Sequence, residues 1–284
     1  MHIILGGTGN IGSALAGTLI DLGEVVTVVS HDEKKRTEWE ERGAKFALVD
    51  VLDVPALKDV FNTGERLFLL NPPAMPSSDT VVEEAKSLAA ILAALAGSRI
   101  QKVVAESTYG AQPGKGLGDL GVLYGMEQAL AGMKRPVSII RGAYYMSNWA
   151  FAADVVKNSG QLSTLYPADF KLPMVSPRDI AEFAAGLMMQ PVGQTGLYEV
   201  EGPEKYSPRD VAGAFAQVLG RKVDVVSTPK EKWVESLQES GFSLAAAKSM
   251  AAMTEVTLAE SYDAPVNPVR GKTTLVQFIS GLFH

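Results

Sequence analysis

The run Gly6-Gly7-Thr8-Gly9-Asn10-Ile11-Gly12 offers backbone amides with almost no side chain in front of them. Such a run does chemistry when a strand precedes it and a helix follows. Glycine then permits the tight turn, lets the backbone approach a pyrophosphate, and lets the helix pack close to the strand. The free amides and positive dipole end of the helix face the anion. Here His2-Ile3-Ile4-Leu5 precedes as a short apolar run, and Leu15, Leu19 and Ile20 follow at helical spacing. Gly7, Gly9 and Gly12 fit Gly-x-Gly-x-x-Gly, and Gly6, Gly9 and Gly12 fit Gly-x-x-Gly-x-x-Gly, so the residues expected to hold a dinucleotide are Gly6, Thr8, Gly9, Asn10, Ile11 and Gly12. A second group, Ser107, Thr108 and Tyr109, carries hydroxyls able to orient a small-molecule substrate; the same types also make a polar loop start.

The missing residue types narrow the chemistry further. Cysteine is absent, which removes thiol nucleophiles, disulfides and thiolate metal sites. The only imidazoles are those of His2, His31 and His284, so neither a Ser/His/Asp triad nor a multi-histidine metal site is expected, and no metal is assigned. Chemistry must therefore come mainly from a cofactor. A net charge of -6 argues against nucleic acid as a partner. The longest apolar candidate, Leu88 to Ala96, is too short to span a membrane. Because the chain opens directly on strand and phosphate loop, a cytoplasmic protein is expected.

The elements that must position these groups alternate. Strands are predicted near 2–6, 24–29, 45–49, 66–70, 100–106 and 137–141, with helices near 10–22, 32–42, 55–61, 77–97 and 119–134. This is the signature of an α/β fold with a doubly wound parallel (Rossmann) sheet. Its ligand cleft lies at the C-terminal strand ends. Those ends lead into Ser30 to Arg36, Asp50 to Asp53, Asn71 to Met75, Glu106 to Gln112 and Arg141 to Trp149. After about residue 142 the alternation lapses, and a second, smaller α/β lobe is expected. The dinucleotide-binding domain is placed at 1–142, with about 174–200 returning to it. Residues 143–262 form mainly a substrate lobe, and 263–284 a C-terminal segment packed back on the domain. Within the lobe Val223 to Val226 reads as a strand, with helices at 229–239 and 243–259. The string Ser-Pro-Arg-Asp occurs at Ser176 to Asp179 and again at Ser207 to Asp210, where helix capping explains it better than a duplicated functional motif.

The chain resembles the atypical short-chain dehydrogenase/reductases of the NmrA-like type, above all the NAD(P)H-quinone oxidoreductase and triphenylmethane reductase branch. The resemblance is carried in order by the glycine run, by Leu69-Leu70-Asn71-Pro72-Pro73, and by Gly125-Met126-Glu127-Gln128-Ala129-Leu130. It continues in Val137 to Asn148, Gly196 to Pro203 and Val211 to Val226. It implies a nicotinamide cofactor contacted by Asn71, Pro72, Pro73 and Ser107, with Arg141, Gly142 and Ala143 lining its nicotinamide end. Tyr109, Tyr144, Tyr145 and Asn148 are then substrate candidates, although tyrosines at a lobe junction equally serve as core. Many short-chain dehydrogenases carry Tyr-x-x-x-Lys, whose lysine lowers the phenol pKa. Here the candidate catalytic Tyr124 is followed by Gln128, which supplies no cation, and Leu123 stands where some relatives have histidine.

After the second predicted strand, small Ser30 and His31 precede Lys34-Lys35-Arg36. Ser30, His31 and Lys35 are thus candidate contacts to a 2′-phosphate, favouring NADP over NAD; helix-surface solvation explains the basic run as well. Asp50 and Val51 are expected near the adenine, whereas Asp32 and Asp53 read as helix caps. Two functions fit. One is an NAD(P)H-dependent oxidoreductase passing hydride to a quinone-like or conjugated, dye-like acceptor, where positioning does much of the work. The other is a non-catalytic NAD(P)-binding redox sensor that contacts a regulatory protein partner.

Overall fold

A computed structural model describes residues 1–283; His284 lies outside them. The strands of the first half are β1 (His2–Ile4), β2 (Val26–Ser30), β3 (Lys45–Leu48), β4 (Arg66–Leu69), β5 (Lys102–Thr108) and β6 (Val137–Gly142). Those of the second half are β7 (Tyr144–Tyr145), β8 (Gln161–Thr164), β9 (Leu172–Val175), β10 (Gly196–Glu201), β11 (Lys205–Tyr206), β12 (Asp224–Ser227) and β13 (Val269–Arg270). The α-helices are α1 (Asn10–Asp21), α2 (Arg36–Glu41), α3 (Val54–Phe61), α4 (Thr80–Ala96), α5 (Asp119–Ala131), α6 (Ala153–Ser159), α7 (Pro177–Met189), α8 (Pro208–Leu219), α9 (Trp233–Glu239), α10 (Leu244–Leu258) and α11 (Leu275–Ser280).

The central sheet has eight strands in the order β13-β10-β6-β5-β4-β1-β2-β3, and every neighbouring pair is parallel. The doubly wound Rossmann sheet read from the sequence is present. Its order reverses between β1 and β4, which places the ligand crevice of such a sheet above the C-terminal end of β1. β1 and β2 are buried along their whole length, which is why they read as continuous apolar runs. On one face Leu15 and Leu19 of α1 pack with Ile180 and Ala184 of α7. On the other, Leu57, Ile91 and Met126 carry α3, α4 and α5 onto the sheet.

Capping sets several helix starts. Asp53 accepts from the Ala56 amide at 3.1 Å with Pro55 in the first turn, and Asp32 accepts from Lys34 at 3.0 Å. The two Ser-Pro-Arg-Asp strings are caps as well: Ser176 accepts from the Arg178 amide, and Ser207 forms a capping box with Asp210. The Asp32 cap starts a 3₁₀ turn at Glu33–Lys35, so the helix predicted over 32–42 is divided and its α-helical part is only α2.

A second core lies in the smaller lobe, where Met146, Trp149, Leu162, Met174 and Phe215 cluster. It is bounded by a three-stranded sheet, β11-β9-β7, and a two-stranded sheet, β12-β8. The C-terminal segment expected over 263–284 carries α11, but Leu275 and Ile279 of that helix enter this second core rather than the nucleotide half. The reason is local. Asp179 at the start of α7 accepts from the Thr273 amide and hydroxyl, holding the chain after β13 so that α11 lies against α8.

At the opposite end of α7 the final carbonyls face two sheet cations. Arg66 donates to Met188 O and, at 2.6 Å, to Gln190 O, while the buried Lys102 Nζ donates to Pro191 O at 3.3 Å. These bonds satisfy groups that a helix C-terminus leaves unpaired. Replacing Arg66→Met is expected to cost about 2 kcal/mol, read as a lower urea midpoint at unchanged m-value. A shift corresponding to less than ~0.5 kcal/mol, the range of neutral surface changes, would show that the bonds do not stabilise α7.

Candidate dinucleotide site

The glycine run leaves β1 at Leu5 and enters α1 at Asn10. Gly6 has φ +62°, a conformation that disfavours any side chain. A Cβ on Gly12 would overlap the Gly6 carbonyl, so glycine there lets the first turn of α1 sit against the loop. A Cβ on Gly9 would meet only the Gly6 carbonyl oxygen, at 3.4 Å, which leaves that face open to a ligand. Gly9 is also the N-cap and provides no side-chain cap, so the first-turn amides of α1, those of Asn10, Ile11 and Gly12, have no partner from a capping side chain. An uncapped helix start behind an open glycine loop fits a pyrophosphate.

Thr8 and Ser30 join the loop to the end of β2 through hydroxyls 3.1 Å apart, and Ser30 Oγ also accepts from the Asp32 amide. His31 is exposed beside them. Lys35 pairs with Glu38 at 3.1 Å, and Arg36 with Glu33 and Glu40. The depression next to Thr8 and Ser13 is lined by Lys35 and also by Arg42, whose guanidinium lies 4.3 Å from the Trp39 ring centre. Sequence reading missed Arg42, because it lies beyond the apparent end of the basic run. Asp50 is exposed and bonds its own turn through the Leu52 amide at 2.9 Å; Val51 is half-buried next to it. Across the switch point Asn71 donates to Glu84 O at 3.2 Å, while its own Oδ1 is buried without a partner. Pro72 is half-buried and Pro73 exposed at the same rim.

At the ends of β5 and β6 the side chains are paired with one another. Ser107, fully buried, donates to Glu127 Oε1 at 2.5 Å. Arg141 donates Nε to Oε1 at 2.9 Å and Nη2 to Oε2 at 2.6 Å of the same carboxylate. The Glu127 side chain keeps only 7 % of its exposure, and its bond is the main cause holding the Arg141 guanidinium above its ordinary pKa. The Ser107 hydroxyl is thus engaged inside the protein, and Glu127 is a site residue the sequence did not single out. Arg141 also lines a cavity of about 370 Å³ with Gly110, Gln112, Tyr262 and Asp263. Gly142 and Ala143 are buried beyond it.

Tyr109 donates to Glu201 Oε1 at 3.1 Å, and burial, more than the neighbouring carboxylate, pushes its phenol up. Tyr144 stands 5.8 Å from both the Trp149 and the Tyr166 ring centres, so it is a lobe-core aromatic. Tyr145 bonds Glu106 at 2.9 Å. Asn148 is exposed, Tyr124 is half-buried on α5, and Gln128 one turn on is exposed. The described residues contain no group of metal-ligating side chains. No helix among them is long and apolar enough to cross a membrane.

This combination, a glycine-rich turn at the switch point of a doubly wound sheet with a smaller lobe beyond it, defines a dinucleotide-binding α/β protein. A model of the NmrA-like family matches residues 2–275, and the chain belongs to that family. It is 23 % identical to an NAD(P)H azoreductase of Xenophilus azovorans, over 88 % of this chain and 85 % of that one. Two similar solved structures share the fold throughout. An NADPH-dependent quinone oxidoreductase of Escherichia coli superposes with TM-score 0.78 at 18 % identity, covering 100 % of both chains. A triphenylmethane reductase of Citrobacter sp. superposes with TM-score 0.80 at 15 % identity, covering 99 % of this chain and 98 % of that one.

Glu84 gives this region a pH signature. Burial, then the charge and hydrogen bond of Asp119, push its carboxyl from an ordinary 4.5 up to about 8, against the Ala74 amide, which favours the charged form. Between those values the unfolded chain releases a proton that the folded protein keeps. Stability should therefore fall as pH rises from about 4.5 to about 8 and level off above that. Glu84→Gln is expected to flatten the decline in urea melts across this range. A variant profile parallel to the wild type would remove Glu84 as its source.

Proposed function

We propose that the protein is an NADPH-dependent reductase that transfers hydride to a conjugated acceptor such as a quinone, an azo compound or a cationic dye. The observation that carries this reading is the open, uncapped glycine loop of α1 at the switch point, with a separate lobe available to cover an acceptor. The names of the similar proteins, an azoreductase, a quinone oxidoreductase and a triphenylmethane reductase, support the reaction class. A complex of the last with NADP(H) supports the cofactor.

In this reading the amides of Asn10, Ile11 and Gly12 hold the pyrophosphate. Thr8, Lys35 and Arg42 surround the 2′-phosphate, with Ser30 leaving room for it. Asn71 supplies a polar contact at the switch point. Arg141, fixed by Glu127, borders the nicotinamide end. The cofactor supplies the hydride when bound; the chain's own task is to hold the acceptor against it and exclude water. The smaller lobe is tied down for this purpose: Ser243 donates its hydroxyl to Ser78 O and its amide to Pro76 O, and Gln112 donates to Ser261 O.

The direct test is NADPH oxidation by purified protein with a panel of quinones, azo compounds and triphenylmethane dyes. Turnover with at least one class is expected. Tight binding that differs between oxidised and reduced cofactor, without turnover, would replace this reading with a redox sensor. Arg42→Ala is expected to weaken NADPH binding by about ten-fold, the scale of one charge-assisted hydrogen bond, while leaving NADH binding nearly unaltered. Equal weakening of both cofactors, measured by fluorescence titration, would remove Arg42 from the phosphate site.

A further inference from the structure

Glu106 and Tyr145 form a buried acid pair that cofactor binding does not require. Glu106 points from β5 into the face occupied by α7 and is 4 % exposed. The Tyr145 hydroxyl lies 2.9 Å from its Oε1, while its Oε2 is buried with no partner. Gly142 makes the pairing sterically feasible. A Cβ there would come to 2.9 Å from Glu106 Oε1 and 2.8 Å from the Tyr145 ring. Tyr145 itself is half-buried and packs against the apolar cluster that contains Ile11 of the phosphate loop and Ala143.

We propose that Tyr145 donates the proton that hydride reduction of a neutral acceptor requires, and that Glu106 is the positioning residue that holds the phenol and replaces its proton. The proposal rests on the reductase reading and gives it a proton source. Tyr124 lacks the cation that would activate it, and Glu127 is committed to Arg141. Burial pushes the Glu106 carboxyl well above its usual range, the Tyr145 bond opposing this only in part, and the unpartnered Oε2 leaves the charged form without a second donor, both of which favour the protonated acid. A carboxylic acid and a phenol can share one contact in either direction. When the acid donates to the phenol oxygen, the phenol proton is free to face an acceptor.

The step balances. A quinone receives a hydride from the reduced dinucleotide, which leaves as its oxidised form, and the quinone gains a C–H or O–H bond while one oxygen becomes anionic. That oxygen takes the Tyr145 proton, Tyr145 takes the Glu106 proton, and water reprotonates the carboxylate. An azo bond follows the same course with nitrogen as the anion. A triarylmethyl cation needs no proton, because hydride addition alone makes it neutral.

This difference supplies the test. Tyr145→Phe and Glu106→Gln should each lower the ratio of quinone to cationic-dye turnover by roughly 10²-fold, at the low end of general acid catalysis, through kcat rather than KM. NADPH affinity should be retained. An independent readout uses cofactor-free protein at neutral pH: in wild-type-minus-Glu106→Gln infrared difference spectra, which cancel the protonated Glu84, a carbonyl stretch of a protonated carboxyl is expected, and Tyr145→Phe should shift it. Should Glu106→Gln fail to fold, Tyr145→Phe keeps the ring and carries both comparisons. Equal losses on quinone and dye, or no protonated-carboxyl band in the wild-type-minus-Glu106→Gln difference spectrum, would overturn the proposal while the reductase reading stands. A wild-type protein that reduces neither class would overturn the reductase reading, and the proton-donor role would fall with it.

Discussion

The close approach of α1 to the end of β1 governs the rest of the architecture. With no side chain at Gly12 and a left-handed Gly6, the first turn of α1 comes directly against the loop that leaves the strand. That approach points the uncapped amides at the crevice and also sets the depth of α1 on the sheet. α7 packs along α1 and therefore inherits its position. α7 is then fixed at both ends, by Asp179 to the chain after β13 and by Arg66 and Lys102 to its last turn. The smaller lobe branches from the strands on either side of α7. A glycine contact at the phosphate loop is thus transmitted, through one helix pair, to the part of the molecule that would cover an acceptor.

The sequence makes the first half of this legible because β1, β2, β4 and β5 are largely buried along their length and α3 and α4 start at side-chain caps. Asp53 and Ser207 announce helices by residue type, whereas the Asp79 cap of α4 emerges only in the structure. The later strands fade for a physical reason. β7, β11 and β13 are two residues long, and each owes its assignment to a pairing partner rather than to its own pattern. β13 pairs with β10, a stretch the sequence marked only as part of the family resemblance, Gly196 to Pro203. The destination of α11 was not legible at all, because it follows from a hydrogen bond between residues 94 apart in the chain.

The candidate site divides in the same way. The glycine loop is contiguous in sequence, and its spacing encodes its geometry. The groups at the other end of the cleft are assembled from distant positions. Arg141 finds Glu127 across 14 residues, and Tyr145 finds Glu106 across 39. Nothing in the residue types distinguishes Glu127, which turns inward to an arginine, from Gln128, which is exposed. Sequence therefore marks where the cofactor would bind, whereas tertiary packing decides which polar groups face the reaction.

Charge at the two ends of the cleft follows a consistent physical pattern. The phosphate end combines a helix dipole with Arg42 and with Lys35, the latter paired with Glu38 in the same depression, so Arg42 is the cation there that no carboxylate in that lining is paired with. At the other end the positive charge of Arg141 is matched by the bidentate Glu127, and burial favours the uncharged form of Glu106. A lysine at position 128 would add a cation on the exposed side of α5. Such a cation activates a phenol but repels a positively charged acceptor. An uncharged donor behind Tyr145 avoids that conflict, since a protonated carboxyl can supply a proton without placing a fixed positive charge at the reaction end. In the proposed reductase, the absence of that lysine and the presence of the buried acid would be two sides of one electrostatic arrangement, in which cationic and neutral acceptors meet the same nearly neutral surface.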